Sequence, residues 1–238
     1  MIYGAVLAGG VGSRMKMADM PKQFLELGDR PIIIHTIEKF LTVSRFDKLF
    51  IGIHGEWKIY IEDLLSKYGI SGEQVIVVEG GNDRNGTIMN VIKKIEELFG
   101  ISGQDIIVTH DAVRPFLTRR IIEDNIDSAL KYGMCDTVLS ATDTIVVSQD
   151  GGFISDIPDR QFMYQGQTPQ SFNIKQLKEL YESLSDDQKN ILTDACKICT
   201  ILGKKVHIVE GDVYNMKITT PGDYKIAQAI LGVMVTVD

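Results

Sequence analysis

The sequence has no apolar run near the ~18–20 residues that a membrane-spanning helix needs, which sets aside a membrane partner. Met1-Ile2-Tyr3 leads straight into an apolar stretch, with no basic segment or cleavage site, so a cytoplasmic location is expected. Positive charge is in deficit. The 25 Lys and Arg face 32 Asp and Glu, a net charge of −7. Such a surface does not favour a nucleic-acid backbone, and an anionic ligand must be met by a local cationic pocket. Cysteine is scarce: Cys135, Cys196 and Cys199 only. An odd count argues against a disulfide framework, and Cys196-Lys-Ile-Cys199 lacks the second pair that zinc would need. Its helical spacing with Ala195, Ile198 and Leu202 places it in a core helix. No internal repeat, low-complexity tract or linker divides the 238 residues. One domain, 1–238, is therefore expected.

What is present is an alternation of strands and helices. Residues 2–7, 48–53, 74–79 and 105–109 are apolar runs of strand length. Between them lie amphipathic stretches opened by Pro31 and covering 57–68, 83–98 and 119–131, three of them closed by Gly69, Gly100 and Gly133. This predicts an α/β fold: a mostly parallel, Rossmann-like sheet with helices on both faces. After Thr137 the pattern changes. Residues 144–148 and 153–157 flank Asp150-Gly151-Gly152 and predict an inserted β-hairpin arm over about 141–163. A strand at 164–172, helices at 174–184 and 186–202, a strand at 205–209 and a helix at 221–231 complete the expectation. Ligands in such sheets sit at the carboxyl ends of the strands, where Gly9-Gly10, Gly80-Gly81 and His110-Asp111 should converge.

The first strand breaks into Gly9, Gly10 and Gly12, with Arg14 and Lys22 beyond. Glycine lets backbone N–H groups approach a phosphate closely, and the two cations add a planar fork and a mobile point charge. The P-loop is excluded because no Gly-Lys-Ser/Thr follows Gly12, and the dinucleotide fingerprint meets Met15 where its third Gly belongs. A kinase loop would carry its lysine on a following strand, whereas Lys22 follows Pro21. Residues 80–87, Gly-Gly-Asn-Asp-Arg-Asn-Gly-Thr, open a helix, where anions bind and where Asn82 or Asp83 can serve as the cap. At the fourth strand end Asp111 can supply one carboxylate to Mg²⁺, and Arg114 can face a phosphate or pair with Asp111. His110 reads as a neutral buried histidine rather than a base.

Leu7-Ala-Gly-Gly-x-Gly-x-Arg-Met15 with Pro21-Lys-Gln23 resembles the signature of the cytidylyltransferases that join a polyol phosphate to CMP. These include the enzymes for 2-C-methyl-D-erythritol 4-phosphate and for ribitol 5-phosphate. The resemblance runs through His110-Asp-Ala-x-Arg-Pro115, Thr168-Pro-Gln170 and Tyr214-Asn-Met-Lys-Ile-Thr-Thr-Pro221, and so covers nearly the whole chain. It implies CTP contacts at Leu7, Ala8, Gly9, Gly10, Ala112 and the run Gly81, Asn82, Asp83, Arg84, Asn85, Gly86 and Thr87. It implies catalytic charge from Arg14 and Lys22, Mg²⁺ at Asp111, and acceptor contacts at Arg114, Arg160, Thr168 and Lys217. It also implies a homodimer in which the arm reaches a neighbouring subunit. The strings Thr109-His-Asp-Ala-Val-Arg-Pro-Phe-Leu117, Met163-Tyr-Gln-Gly-Gln-Thr-Pro-Gln-Ser-Phe172 and Leu192-Thr-Asp-Ala-Cys-Lys197 resemble the ribitol-phosphate group. The methylerythritol-phosphate enzymes have an Asp just before the Asn of the last motif. Here that position is Tyr214, with Asp212 nearby. A nucleotide-binding module without turnover is the reading of another class.

Overall fold

The computed structural model describes residues 1–10, 20–70 and 72–236. Its main strands are β1 (Ile2–Ala8), β4 (Lys48–Ile53), β5 (Val75–Glu79), β6 (Ile106–Asp111), β7 (Met134–Ser140), β8 (Tyr164–Asn173) and β9 (His207–Glu210). They form one seven-stranded sheet in the order β5-β4-β1-β6-β8-β7-β9. A two-residue pair, β2 (Glu26–Leu27) and β3 (Arg30–Pro31), lies apart from it. All neighbours in the main sheet run parallel except those of β8, which is antiparallel to both β6 and β7. The predicted mostly parallel, Rossmann-like sheet is what forms.

Strand periodicity sorts the core into two layers. Val6, Ala8, Ile51, Ile53 and Val108 face one side. There they pack against α1 (Ile32–Leu41), α2 (Lys58–Lys67) and α4 (Arg119–Tyr132). Tyr3, Ala5, Leu7, Phe50 and Ile107 face the other, under α3 (Arg84–Phe99), α5 (Ile174–Ser183) and α7 (Ala195–Ile201). Because both faces are covered, β1, β4 beyond Lys48 and the first half of β6, Ile106 to Val108, are apolar runs rather than alternating ones. A smaller cluster joins Leu27 and Ile32 to Ile218 and to Ala227 of α8 (Pro221–Thr236). It holds the C-terminal segment against the body of the protein.

Two sequence expectations change. The single helix predicted over 186–202 is broken into α6 (Asp186–Asn190) and α7. Asp194 accepts a hydrogen bond from the Lys197 N–H at 2.9 Å and starts a new helix there. The arm also lacks the two predicted strands: its only ladder contact among the described residues is an isolated antiparallel bridge between Val147 and Asp156. Its turn is nonetheless built, since Asp150 accepts from the N–H groups of Gly152 and Phe153 at 2.8 and 3.0 Å. A lone two-stranded ribbon is marginal in water, and none of the described residues covers Phe153, which is 81% exposed.

Candidate active site

A cleft of about 620 Å³ opens across the carboxyl ends of four adjacent parallel strands. Its walls are Asp111 and Ala112 at the end of β6, Leu7 to Gly10 at β1, His54 and Gly55 at β4, and Glu79 to Gly81 at β5. Lys22 and Lys217 enter from two loops. The sequence explains how Lys22 is held. Pro21 opens a single 3-10 turn. Within it Gln23 donates to the Ala8 carbonyl at 2.9 Å. Phe24 is buried, with its ring centroid 5.3 Å from that of Trp57 and 4.7 Å from that of Tyr60. Both neighbours on the C-terminal side are thus anchored, and the lysine between them and Pro21 lines the cleft.

Asp111 is the electrostatic centre. Arg84 Nε lies 3.3 Å from Oδ1, while Lys217 Nζ and Arg114 Nε lie 3.0 and 3.5 Å from Oδ2. Burial alone would raise the carboxyl pKa, but Arg84, Lys217 and Arg114 outweigh it and hold the group well below the usual carboxylate range. Three cations around one anion leave a net positive end to the cleft. The terminal nitrogens of Arg84 are buried and unpartnered among the described residues, so this guanidinium has unspent donor capacity.

A relay behind Asp111 sets its backbone. His110 is fully buried, and desolvation pushes its pKa down to about 3, so the ring is neutral. Its Nε2 sits 3.1 Å from the Arg114 carbonyl, which can only accept, so Nε2 carries the proton. Nδ1 then accepts from the Thr168 hydroxyl at 2.8 Å, and that same oxygen accepts from the Asp111 N–H at 3.2 Å. His110 is therefore the neutral buried histidine expected from the sequence. Thr168, expected at the acceptor, is buried behind Asp111 in this chain.

The opening of α3 forms the opposite wall. Asp83 caps the helix by accepting from the Gly86 N–H at 2.7 Å. Thr87 accepts from the Gly81 N–H at 3.0 Å and donates to the Asp83 carbonyl at 2.8 Å. Gly81, Asn82, Asp83, Arg84 and Thr87 all line the cleft, whereas Asn85 is buried beneath it. Arg114 is also buried, donating to the Asn215 carbonyl at 2.7 Å, so the ion-pair reading of Asp111 and Arg114 describes what is seen. Arg160 stays on the arm and donates to the Thr142 carbonyl at 2.6 Å. Arg14 and Gly12 lie outside the described residues. Gln23, His54, Gly55, Glu79, Gly80 and Val113 line the cleft without having been singled out as site residues from the sequence. Of these, Gln23 carried a usable signal as the last residue of the Pro-Lys-Gln motif, and Gly80 as part of the predicted strand end at Gly80-Gly81.

The family profile described as IspD: 2-C-methyl-D-erythritol 4-phosphate cytidylyltransferase matches residues 2–233. The chain belongs to this family. It is accordingly a CTP-dependent nucleotidyltransferase, and solved structures agree in fold. One is 4-diphosphocytidyl-2C-methyl-D-erythritol synthase from Anaerococcus prevotii DSM 20548. It superposes with a TM-score of 0.80 at 25% identity, covering 98% of this chain and 96% of that one. The 2-C-methyl-D-erythritol 4-phosphate cytidylyltransferase of Francisella tularensis gives 0.77 at 24%, covering 96% and 98%. The Thermus thermophilus enzyme of the same name gives 0.72 at 23%, covering 97% and 98%.

Among the described residues no group of three His, Cys, Asp or Glu side chains is assembled to hold an ion. Asp212 does not replace the missing carboxylate at Tyr214, because its Oδ1 accepts from the Tyr214 N–H at 2.8 Å and the residue is absent from the cleft wall. A single protein oxygen suits Mg²⁺, which takes its other ligands from phosphates and water. Among the described residues no helix is long and apolar enough to cross a membrane.

Proposed function

We propose that this protein transfers CMP from CTP to D-ribitol 5-phosphate, giving CDP-ribitol and pyrophosphate, as a step toward teichoic-acid precursors. The observation that carries cytidylyl transfer to a phosphate is the Asp111 centre, with Arg84, Arg114 and Lys217 around it and Gly9-Gly10 beside it. A phosphate monoester is largely dianionic at neutral pH, its second pKa being ~6, so its oxygen attacks the CTP α-phosphorus in line without a general base. The neutral, buried His110 is consistent with that economy. What remains is to bring anions together and to hold charge as pyrophosphate leaves. Lys22 and Arg14 are assigned to that charge, and Lys217 and Arg160 to the acceptor phosphate. Arg114 and Thr168 position Asp111. Asp111 would hold Mg²⁺, which supplies charge neutralisation on the phosphates. Asp111→Asn and excess chelator should each abolish turnover, and full activity in chelator would refute the metal role.

The acceptor has a second reading. The family and the solved structures are named for 2-C-methyl-D-erythritol 4-phosphate, and these comparisons back that acceptor better than ribitol 5-phosphate. The ribitol reading is supported by the three sequence strings and by Tyr214 in place of the Asp. Pyrophosphate release from CTP with each acceptor in turn separates them. Turnover with the methylerythritol phosphate alone would reassign the substrate. A homodimer through the arm and a cytoplasmic location belong to the same proposal. Phe153, Ile154, Ile157 and Phe162 are 81, 62, 57 and 68% exposed on the arm, which suits a surface awaiting a second copy.

A further inference from the structure

The cleft has two chemically different ends. At β6 stand the three cations of the Asp111 centre. At β5, three strand positions away, stands a carboxylate, that of Glu79. Strand spacing of ~4.8 Å separates β6 from β5 by ~14 Å, more than the ~8 Å screening length at physiological salt. A triphosphate bound at the cationic end would therefore feel little repulsion from Glu79. The nucleobase, at the far end of the same ligand, would meet it. Glu79 is exposed, and its carboxylate makes no hydrogen bond or ion pair among the described residues. A charged acceptor in an anion-binding cleft is useful to a ligand only if that ligand presents a donor there.

We propose that Glu79 selects the nucleobase, its carboxylate accepting a hydrogen from the exocyclic amino group of cytosine, with Gly55 leaving the space it needs. The inference rests on the reading of the cleft as a CTP site. At the same ring position uracil presents an oxygen, which a carboxylate repels, while cytosine presents two N–H donors suited to Glu. Gly55 fits this role because a Cβ there would stand 2.9 Å from Glu79 Oε1 and 3.2 Å from its carboxyl carbon. His54, half-exposed beside Gly55, closes the same end of the cleft.

The test uses the full-length protein and compares CTP with UTP, and CTP with 2′-deoxy-CTP, by steady-state turnover and by calorimetric binding. Glu79→Gln offers a donor as well as an acceptor. It should lower kcat/KM for CTP chiefly through KM and reduce the CTP-to-UTP preference at least ~10-fold. Gly55→Ala, which displaces the carboxylate rather than removing it, should move the same ratio in the same direction. It carries the test if the first variant does not melt like wild type. A CTP-to-UTP ratio unchanged within about twofold in both variants overturns the proposal. So does loss of discrimination against 2′-deoxy-CTP with base preference intact, which would assign Glu79 to the ribose. A wild-type protein that neither binds nor turns over CTP would overturn the reading of the cleft itself. Normal CTP turnover with unchanged ratios removes only the role of Glu79.

Discussion

Lys22 is held in the cleft wall by its neighbours, Pro21 before it and Gln23 and Phe24 after it, so its removal should cost rate rather than fold. Lys22→Ala should lower kcat ~10²–10³-fold, as for other donors aimed at developing charge. A loss under about threefold in a folded variant corresponds to only ~0.6 kcal/mol of barrier and would remove the role. Asp136 tests a different property. Burial pushes its carboxyl up to about 6, against the hydrogen bond from Gln170 and with a further push from Asp194. Unfolded, the group titrates near ~3.9. Between those values the folded state holds the proton more tightly, so this residue's contribution to stability falls as pH rises from about 4 to about 6 and stays reduced above. Asp136→Asn removes that dependence. The unfolding free energy of wild type minus variant should drop by about 1–3 kcal/mol across the window in denaturant titrations. A difference flat with pH would refute the shifted titration.

At the scale of elements, the start of α3 shows how tightly backbone meets backbone at the site. A Cβ on Gly81 would stand 2.5 Å from the Gly86 carbonyl carbon and 2.9 Å from the Thr87 nitrogen. Backbone cannot rotate away as a side chain would. Gly81→Ala should therefore weaken CTP binding at least ~10-fold and cost about 1–3 kcal/mol, as other overpacking changes do. Gly10→Ala is the control, since a Cβ there meets nothing within 4 Å among the described residues and the melting temperature should hold. Equal destabilisation of the two would show that the α3 contact is not what matters. The elements were legible to different degrees. Runs such as 48–53 declared themselves because both of their faces are buried. The break between α6 and α7 did not, because apolar periodicity continues through 191–202 and only the Asp194 cap interrupts it. The arm alternated like a hairpin, yet alternation supplies no partner for the exposed side of a ribbon.

The whole molecule raises the question of the second copy. Among the described residues Arg160 bonds within its own arm, to the Thr142 carbonyl, and does not line the cleft of the same chain. If the arm of one subunit carries Arg160 to the site of the other, Lys22→Ala and Arg160→Ala, each inactive alone, should recover activity when mixed and reassembled. Half of a random mixture is mixed dimer, and one site in each would be intact, so the ceiling is roughly a quarter of wild-type sites in a C₂ dimer. No recovery in mixed dimers verified by differential tags would place Arg160 in its own subunit or in no site.

Local chemistry was enough to determine the α/β alternation, a capped helix start at Asn82 or Asp83 and the core-helix place of Cys196 and Cys199. Each depends on residues within a few positions of one another, where periodicity and capping act. The arrangement around Asp111 was decided only by the tertiary structure. Arg84 comes from 27 positions before it, and the Asn215 carbonyl that fixes Arg114 from 101 positions beyond that arginine. The tie from Thr168 through His110, 58 positions apart, was equally invisible. No short-range rule pairs such residues. They meet because the sheet order sets β1, β6 and β8 side by side, and burial then obliges each polar group to find its partner there.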